Sequence, residues 1–79
     1  MGAMDEPVCL YDIPQGDTVT VEKVGGKRIA ERLRAMGIVE GKRLRVISKM
    51  ALGGPQVIMV GNTRITIGQG MAKKILVRP

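Results

Sequence analysis

Short runs of alternating apolar residues, separated by glycine-containing turns, constrain this chain more than any other feature of its sequence. Between residues 18 and 24, Val19 and Val21 alternate with polar neighbours, which is the pattern of a strand with one buried face. Alternation or a β-branched composition recurs over residues 43–49, 57–60, 63–67 and 75–77. Because closure removes exposed strand edges, closely spaced strands with tight turns favour a barrel. We therefore predict a mostly β fold, a small five-stranded antiparallel barrel.

One main helix is predicted over residues 27–36. Ile29, Leu33 and Met36 are spaced i, i+4 and i+7, so they form an apolar stripe on one face of that helix. Gly37 follows directly, and glycine at this position is typical of a left-handed helix C-cap. We therefore expect Leu33 and Met36 to pack in the core.

The length of 79 residues predicts a single domain, which we place over residues 9–79. It begins with a short helical turn, because Leu10 and Ile13 lie three residues apart and can both face inward. Residues 1–8 are interpreted as an N-terminal extension or a cloning remnant. The sequence has no apolar run long enough to cross a bilayer and no signal-peptide pattern, so a cytoplasmic location is predicted.

The residue types that catalysis and metal binding require are scarce. The chain has no histidine and one cysteine, Cys9, and its acidic residues are scattered without motif spacing. Serine–histidine, cysteine–histidine and histidine–zinc sites are therefore excluded within one chain. Met50 and Met71 lie in predicted loops, but two thioethers alone make a poor metal site. We expect no enzymatic activity, no cofactor and no metal site, with Cys9 a small buried apolar residue.

A net charge of +6 suits several kinds of partner. Nucleic acid, an acidic membrane surface and an acidic protein patch are all compatible with it, and the charge can also serve solubility alone. Proteins that bind single strands usually stack bases on aromatic side chains, and Tyr11 is the only aromatic residue here. The sequence therefore disfavours nucleic acid as the partner, although a basic nucleic-acid-binding barrel stays an alternative.

The order of these features resembles the FeoA family, the small ferrous iron transport protein A. The most specific part is the segment Leu33-Arg-Ala-Met36-Gly37-Ile38-Val-Glu-Gly41, and the resemblance covers residues 9–78. It implies an SH3-like β-barrel with a cytosolic accessory role in bacterial ferrous iron uptake. It also implies a protein partner, the membrane transporter FeoB, which carries a cytosolic GTP-binding domain, so that any membrane association would run through that partner.

The loop over residues 50–55 is the candidate partner-binding site. Its apolar residues, Met50 and Leu52, are either tucked over the end of the barrel or exposed as an anchor with a basic rim. The candidate partner-binding residues are Met50, Leu52, Pro55, Arg45, Lys49 and Arg34. An adaptor for the iron transporter is the favoured function. Nucleic-acid binding and weak direct binding of a transition metal, through oxygen ligands at a dimer interface, are the alternatives.

Overall fold

The computed structural model describes residues 6–79; the first five residues of the predicted N-terminal extension lie outside this range. In chain order the elements are β1 (Val8–Cys9), a 3₁₀ turn (Leu10–Asp12), β2 (Thr18–Val24), α1 (Lys27–Ala35), β3 (Arg43–Lys49), β4 (Gln56–Val60), β5 (Thr63–Ile67), α2 (Gln69–Ala72) and β6 (Ile75–Arg78). The predicted mostly β fold with one main helix is confirmed.

The strands form one antiparallel sheet in the order β1-β6-β2-β3-β4-β5. The sheet has six strands rather than five, because Val8 and Cys9 pair with Val77 and Leu76 of β6. Two residues are too few to show an alternating pattern, so β1 could not be predicted from the sequence. The extra strand begins at Val8, inside the predicted N-terminal extension.

Alternation along the strands places one apolar set on the inner face of the sheet. Val19 and Val21 of β2 are buried, as are Leu44 and Val46 of β3. Arg43 and Arg45, which alternate with Leu44 and Val46, are exposed. The core continues through β4, β5 and β6 with Ile58, Val60, Ile67, Ile75 and Val77. Removal of these aliphatic side chains from water is the main stabilising contribution to a fold that has no Phe or Trp.

Helix α1 packs on the core through Leu33, but its C-terminus differs from the prediction. Leu33 is fully buried, whereas Met36 is 36 % exposed, so the expectation that Met36 packs in the core is wrong. The helix ends at Ala35, and Met36 is the C-cap with φ −97° and ψ 5°, outside the helical conformation. Ile38, only 1 % exposed, occupies the core position instead.

The predicted glycine C-cap is present as a complete Schellman motif. Gly37 has φ +85°, and its N–H donates to the carbonyl of Arg34 at 2.9 Å. The N–H of Ile38 donates to the carbonyl of Leu33, also at 2.9 Å. These two bonds satisfy carbonyls that the helix end leaves without partners, and they return the chain to the core.

The 3₁₀ turn fills the space beside the sheet as predicted, with Leu10 and Ile13 buried. It is fastened by a buried polar residue of β4, since Gln56 Nε2 donates to the carbonyl of Leu10 at 3.0 Å. Cys9 is half-buried rather than buried, and its Sγ lies 3.4 Å from the carbonyl oxygen of Lys73. Within residues 6–79, none of the helices has the length and apolar composition to cross a bilayer.

Candidate protein-binding site

The loop that joins β3 to β4, residues 50–55, holds its apolar side chains in solvent. Leu52 has 103 % of its reference exposure and Met50 has 60 %. Of the two arrangements that the sequence left open, the one in which these side chains cover the barrel end is therefore wrong. We call residues 50–55 the tip loop.

The backbone of the tip loop holds Leu52 in a conformation that disfavours a large side chain. Leu52 has φ +61° and Gly53 has φ +77°, and the N–H of Gly54 donates to the carbonyl of Ala51 at 3.2 Å. Two successive positive φ values mark a type I′ turn, whose first central position prefers Asn, Asp or Gly. A left-handed conformation costs a residue with a Cβ about 1–2 kcal/mol. Leu52 is the only residue other than glycine with a positive φ within residues 6–79.

Tyr11 fastens the tip loop to the barrel. Its hydroxyl donates to the carbonyl of Gly54 at 3.0 Å, and the two residues are 43 positions apart in the chain. Lys49 Nζ donates to the carbonyl of Tyr11 at 2.8 Å and lies 5.1 Å from the centre of its ring. At the base of the loop, the N–H of Met50 donates to the carbonyl of Pro55 at 3.0 Å. The loop is therefore held in one conformation by its own turn and by Tyr11.

The side-chain amide of Gln69 supports the other flank of the loop. With its nitrogen oriented toward Gly53, it donates to the carbonyl of that residue at 3.2 Å and accepts from Lys73 Nζ at 3.2 Å. Sequence reasoning missed Tyr11, Gln69 and Lys73 as parts of this site. Of the three only Tyr11 carried a signal, since a lone aromatic residue in a chain of aliphatic residues is conspicuous.

Five of the six predicted site residues lie on or beside β3 and the tip loop. Pro55 is half-buried at the base of the loop, and Lys49 is exposed at the end of β3. Arg45 is exposed on the outer face of β3, four residues and therefore about 13 Å along the strand from Lys49. The register shift between Val46 and Ser48 places Lys49 opposite the buried Gln56, so Lys49 and Arg45 lie on opposite faces of the sheet below the exposed Met50 and Leu52.

Arg34, the sixth predicted residue, lies at the opposite end of the β3–β4 hairpin. A Cβ added to Gly37, just beyond the helix end, would lie 3.6 Å from Val60 Cγ1, and Val60 pairs with Leu44 at the start of β3. The tip loop is at the far end of that strand pair. Arg34 lines a separate cleft of about 360 Å³ with Val24, Ala30, Ile38, Val39 and Glu40. The structure therefore does not bring Arg34 together with the other five.

The site offers contact surface rather than reactive groups. Within residues 6–79, no three His, Cys, Asp or Glu side chains are grouped so that they could hold a metal ion. What the tip loop can provide is apolar area at its apex, with ammonium and guanidinium groups beside it. Such a surface suits recognition of another macromolecule.

A protein-family model described as FeoA domain matches residues 8–79. The chain belongs to the FeoA family. It is 39 % identical over 64 residues to a protein of Methanocaldococcus jannaschii named "Putative Fe(2+) transport protein A", a match that covers 80 % of this chain and 76 % of that protein. The family is one of accessory domains associated with ferrous iron transport.

Solved FeoA structures share the fold. A crystal structure of an iron uptake regulatory protein (FeoA) superposes with a TM-score of 0.81 at 34 % identity, covering 91 % of this chain and 95 % of that one. The zinc-complexed FeoA of Stenotrophomonas maltophilia, described as a procaryotic SH3 domain protein, gives a TM-score of 0.76 at 32 % identity, covering 89 % and 88 %. The predicted FeoA resemblance and SH3-like fold are thereby confirmed.

Proposed function

We propose that this FeoA-family chain is a cytoplasmic, non-catalytic adaptor of ferrous iron uptake that binds the cytosolic part of a FeoB-type transporter through its tip loop. The observation that carries the proposal is the exposure of Leu52 in a strained turn. A fully exposed leucine in solvent contributes nothing to folding, and its backbone conformation costs free energy. Such strain persists where a functional requirement maintains it.

The energetics of a small hot spot match this arrangement. Burial of one leucine side chain contributes about 1.5–3 kcal/mol. Because Tyr11 and the turn already fix the loop, little conformational entropy is lost when a partner covers Leu52. Lys49 adds positive charge next to the apex and Arg45 adds it farther along β3 on the other face of the sheet, and positive charge accelerates association with an acidic surface. We therefore propose Met50, Leu52, Pro55, Lys49 and Arg45 as one docking surface.

Arg34 enters this proposal as a second contact. Because it lies at the opposite end of the β3–β4 hairpin, a partner reaches both Arg34 and Leu52 only if it extends along the whole hairpin. Arg34→Glu is therefore expected to weaken binding less than a change at Leu52. An equal loss from both changes would show that the docking surface spans the hairpin.

The test is the affinity of the purified chain for the cytosolic GTP-binding region of the transporter, measured by calorimetry without nucleotide, with GDP and with a GTP analogue. Leu52→Asn and Leu52→Asp remove the apolar apex while keeping a residue that tolerates a positive φ. Each is expected to weaken binding at least about tenfold, because removal of an apolar side chain at the centre of an interface typically has an effect of this size. Val8→Asn is the matched control, because Val8 is also an exposed apolar residue but lies in β1, outside both the tip loop and the cleft that Arg34 lines.

A second variant pair tests the contribution of Arg45. Arg45→Glu is expected to weaken binding, and Arg28→Glu changes the net charge equally on the exposed surface of α1. If the Leu52 and Arg45 variants all bind like the parent chain, the docking surface is wrong. If the parent chain fails to bind in every nucleotide state, the transporter is the wrong partner.

A further inference from the structure

The free edge of β5 is unusual among the strand edges of this sheet. β5 is the last strand in the sheet order, so one of its sides pairs with β4 and the other has no strand beside it. The opposite sheet edge, β1, is only two residues long. β5 has five residues, regular pairing with β4 and no proline, glycine or bulge. It therefore lacks most of the devices by which natural proteins block strand addition.

The hairpin geometry shows which backbone groups face outward from β5. The two-residue turn Gly61-Asn62 closes on the pair Val60–Thr63, which makes that pair hydrogen-bonded. In the alternate pairs, Met59–Arg64 and Val57–Thr66, the two opposed residues therefore exchange no backbone hydrogen bonds. The N–H and C=O groups of Arg64 and Thr66 consequently point away from β4. In the part of the chain that the structure describes, no backbone hydrogen bond outside the ladder reaches either residue.

The charged side chains on the strands beside this edge are all basic. Arg64 lies opposite Met59, which in turn lies opposite Arg45, so two guanidinium groups flank one half-buried methionine on the outer face. Arg43 is on the same face of β3. β3, β4 and β5 contain no Asp or Glu residue. An occupant with carboxylates on its outer face would therefore meet complementary charge.

We propose that the free edge of β5 binds an extended, carboxylate-bearing segment of a partner protein as an additional strand of the sheet. Main-chain hydrogen bonds to Arg64 and Thr66 would provide affinity, and Arg64 would select acidic side chains. A second copy of this chain fits poorly, because it would bring another Arg64 and another net charge of +6 to the same edge. This inference uses a different surface from the tip loop and does not rest on the proposed function.

Amide hydrogen exchange in the isotope-labelled full chain tests this inference directly. The probe is a short acetylated and amidated peptide of alternating valine and glutamate. In the free chain, the amides of Arg64 and Thr66 are expected to exchange fast, and those of Thr63, Ile65 and Ile67 slowly. Saturating peptide is expected to slow exchange at Arg64 and Thr66 at least about tenfold. A peptide in which lysine replaces glutamate is expected to have no effect.

Two pairs of variants separate strand addition from general attraction. Thr66→Pro removes an outward N–H without removing a bond to β4 and is expected to weaken peptide binding at least tenfold, an effect of about 1.4 kcal/mol. Thr66→Val keeps the N–H and is expected to bind like the parent chain. Arg64→Glu is expected to weaken binding, whereas Arg28→Glu, with the same change in net charge, is not.

Several results would overturn the inference. One is fast exchange at Arg64 and Thr66 in saturating peptide, a readout on the unsubstituted chain that is unaffected by any folding defect of Thr66→Pro. Protection of both amides without peptide would show that a second copy already covers the edge. Equal protection by a single-stranded oligonucleotide would show a general polyanion surface. Undiminished binding by a folded Thr66→Pro variant would also contradict it.

Discussion

Leu52 combines a fully exposed apolar side chain with a backbone conformation that lowers the stability of the fold. Its side chain is as exposed as in an extended peptide, and its φ of +61° belongs to a region that leucine rarely adopts. The conformational cost at Leu52 is not offset locally, because its side chain is not buried against the protein. The proposed partner contact accounts for the leucine where asparagine or glycine would be the usual choice.

Replacement of Leu52 by asparagine is expected to stabilise the isolated chain. Asparagine tolerates a positive φ, so Leu52→Asn should raise the free energy of unfolding by about 0.5–1 kcal/mol, part of the 1–2 kcal/mol cost of the left-handed conformation. Urea denaturation measures this change, and Val39→Asn should stay within about 0.5 kcal/mol of the parent chain. A destabilised Leu52→Asn variant would show that the leucine side chain packs against the protein.

Tyr11 acts on the tip loop through one hydroxyl group. Tyr11→Phe keeps the ring but removes the 3.0 Å bond to the carbonyl of Gly54. We expect a loss of about 0.5–1.5 kcal/mol in the free energy of unfolding, the net contribution of one hydrogen bond. Weaker transporter binding should accompany it, since a looser loop must be ordered on association. Unchanged stability and unchanged binding would mean that the turn alone fixes the loop.

At the scale of elements, the end of α1 depends on one glycine. Gly37→Ala is expected to lower the free energy of unfolding by about 1–2 kcal/mol, because alanine is disfavoured at φ +85°. The nearest atom to an added Cβ is Val60 Cγ1 at 3.6 Å, an ordinary contact, so the loss would be conformational and not steric.

Gly70→Ala is the matched control for that change. Gly70 lies within α2, has no positive φ and has open space around it, so alanine there is expected to stabilise by about 0.5–1 kcal/mol. Thermal or urea unfolding of both variants gives the comparison. A Gly37→Ala variant as stable as the parent would show that the Schellman motif contributes little.

Elements with a repeating pattern were predictable from the sequence, and the exceptions have physical reasons. Alternation gave β2, β3 and β5 with their inward residues, and Gly37 gave the helix end. Met36 was misplaced because the helical period does not continue past a C-cap. The exposure of Leu52 was left open because periodicity says nothing about loops. The bond from Tyr11 to Gly54 joins residues 43 positions apart, so no local pattern encodes it.

At the scale of the whole molecule, residues 6–79 present an exposed apolar loop tip and basic surface, and no three His, Cys, Asp or Glu side chains among them are grouped. We expect calorimetry with ferrous iron to show no stoichiometric site, because within residues 6–79 His, Cys, Asp and Glu side chains form no cluster of three. A chelator-treated chain should then unfold at the same urea concentration as an untreated one. A stoichiometric ferrous site in the monomer would place iron binding, rather than docking, at the centre of its role.

The proposed adaptor function depends on partner binding at the tip loop. The most direct measurement is an NMR titration of the isotope-labelled chain with the cytosolic GTP-binding region of the transporter. The account predicts that the largest amide changes fall on residues 50–55 and on Lys49, and that they disappear with Leu52→Asn. Saturable binding that leaves the tip-loop amides unchanged, with the changes confined to the far end of the hairpin around Arg34, would contradict it.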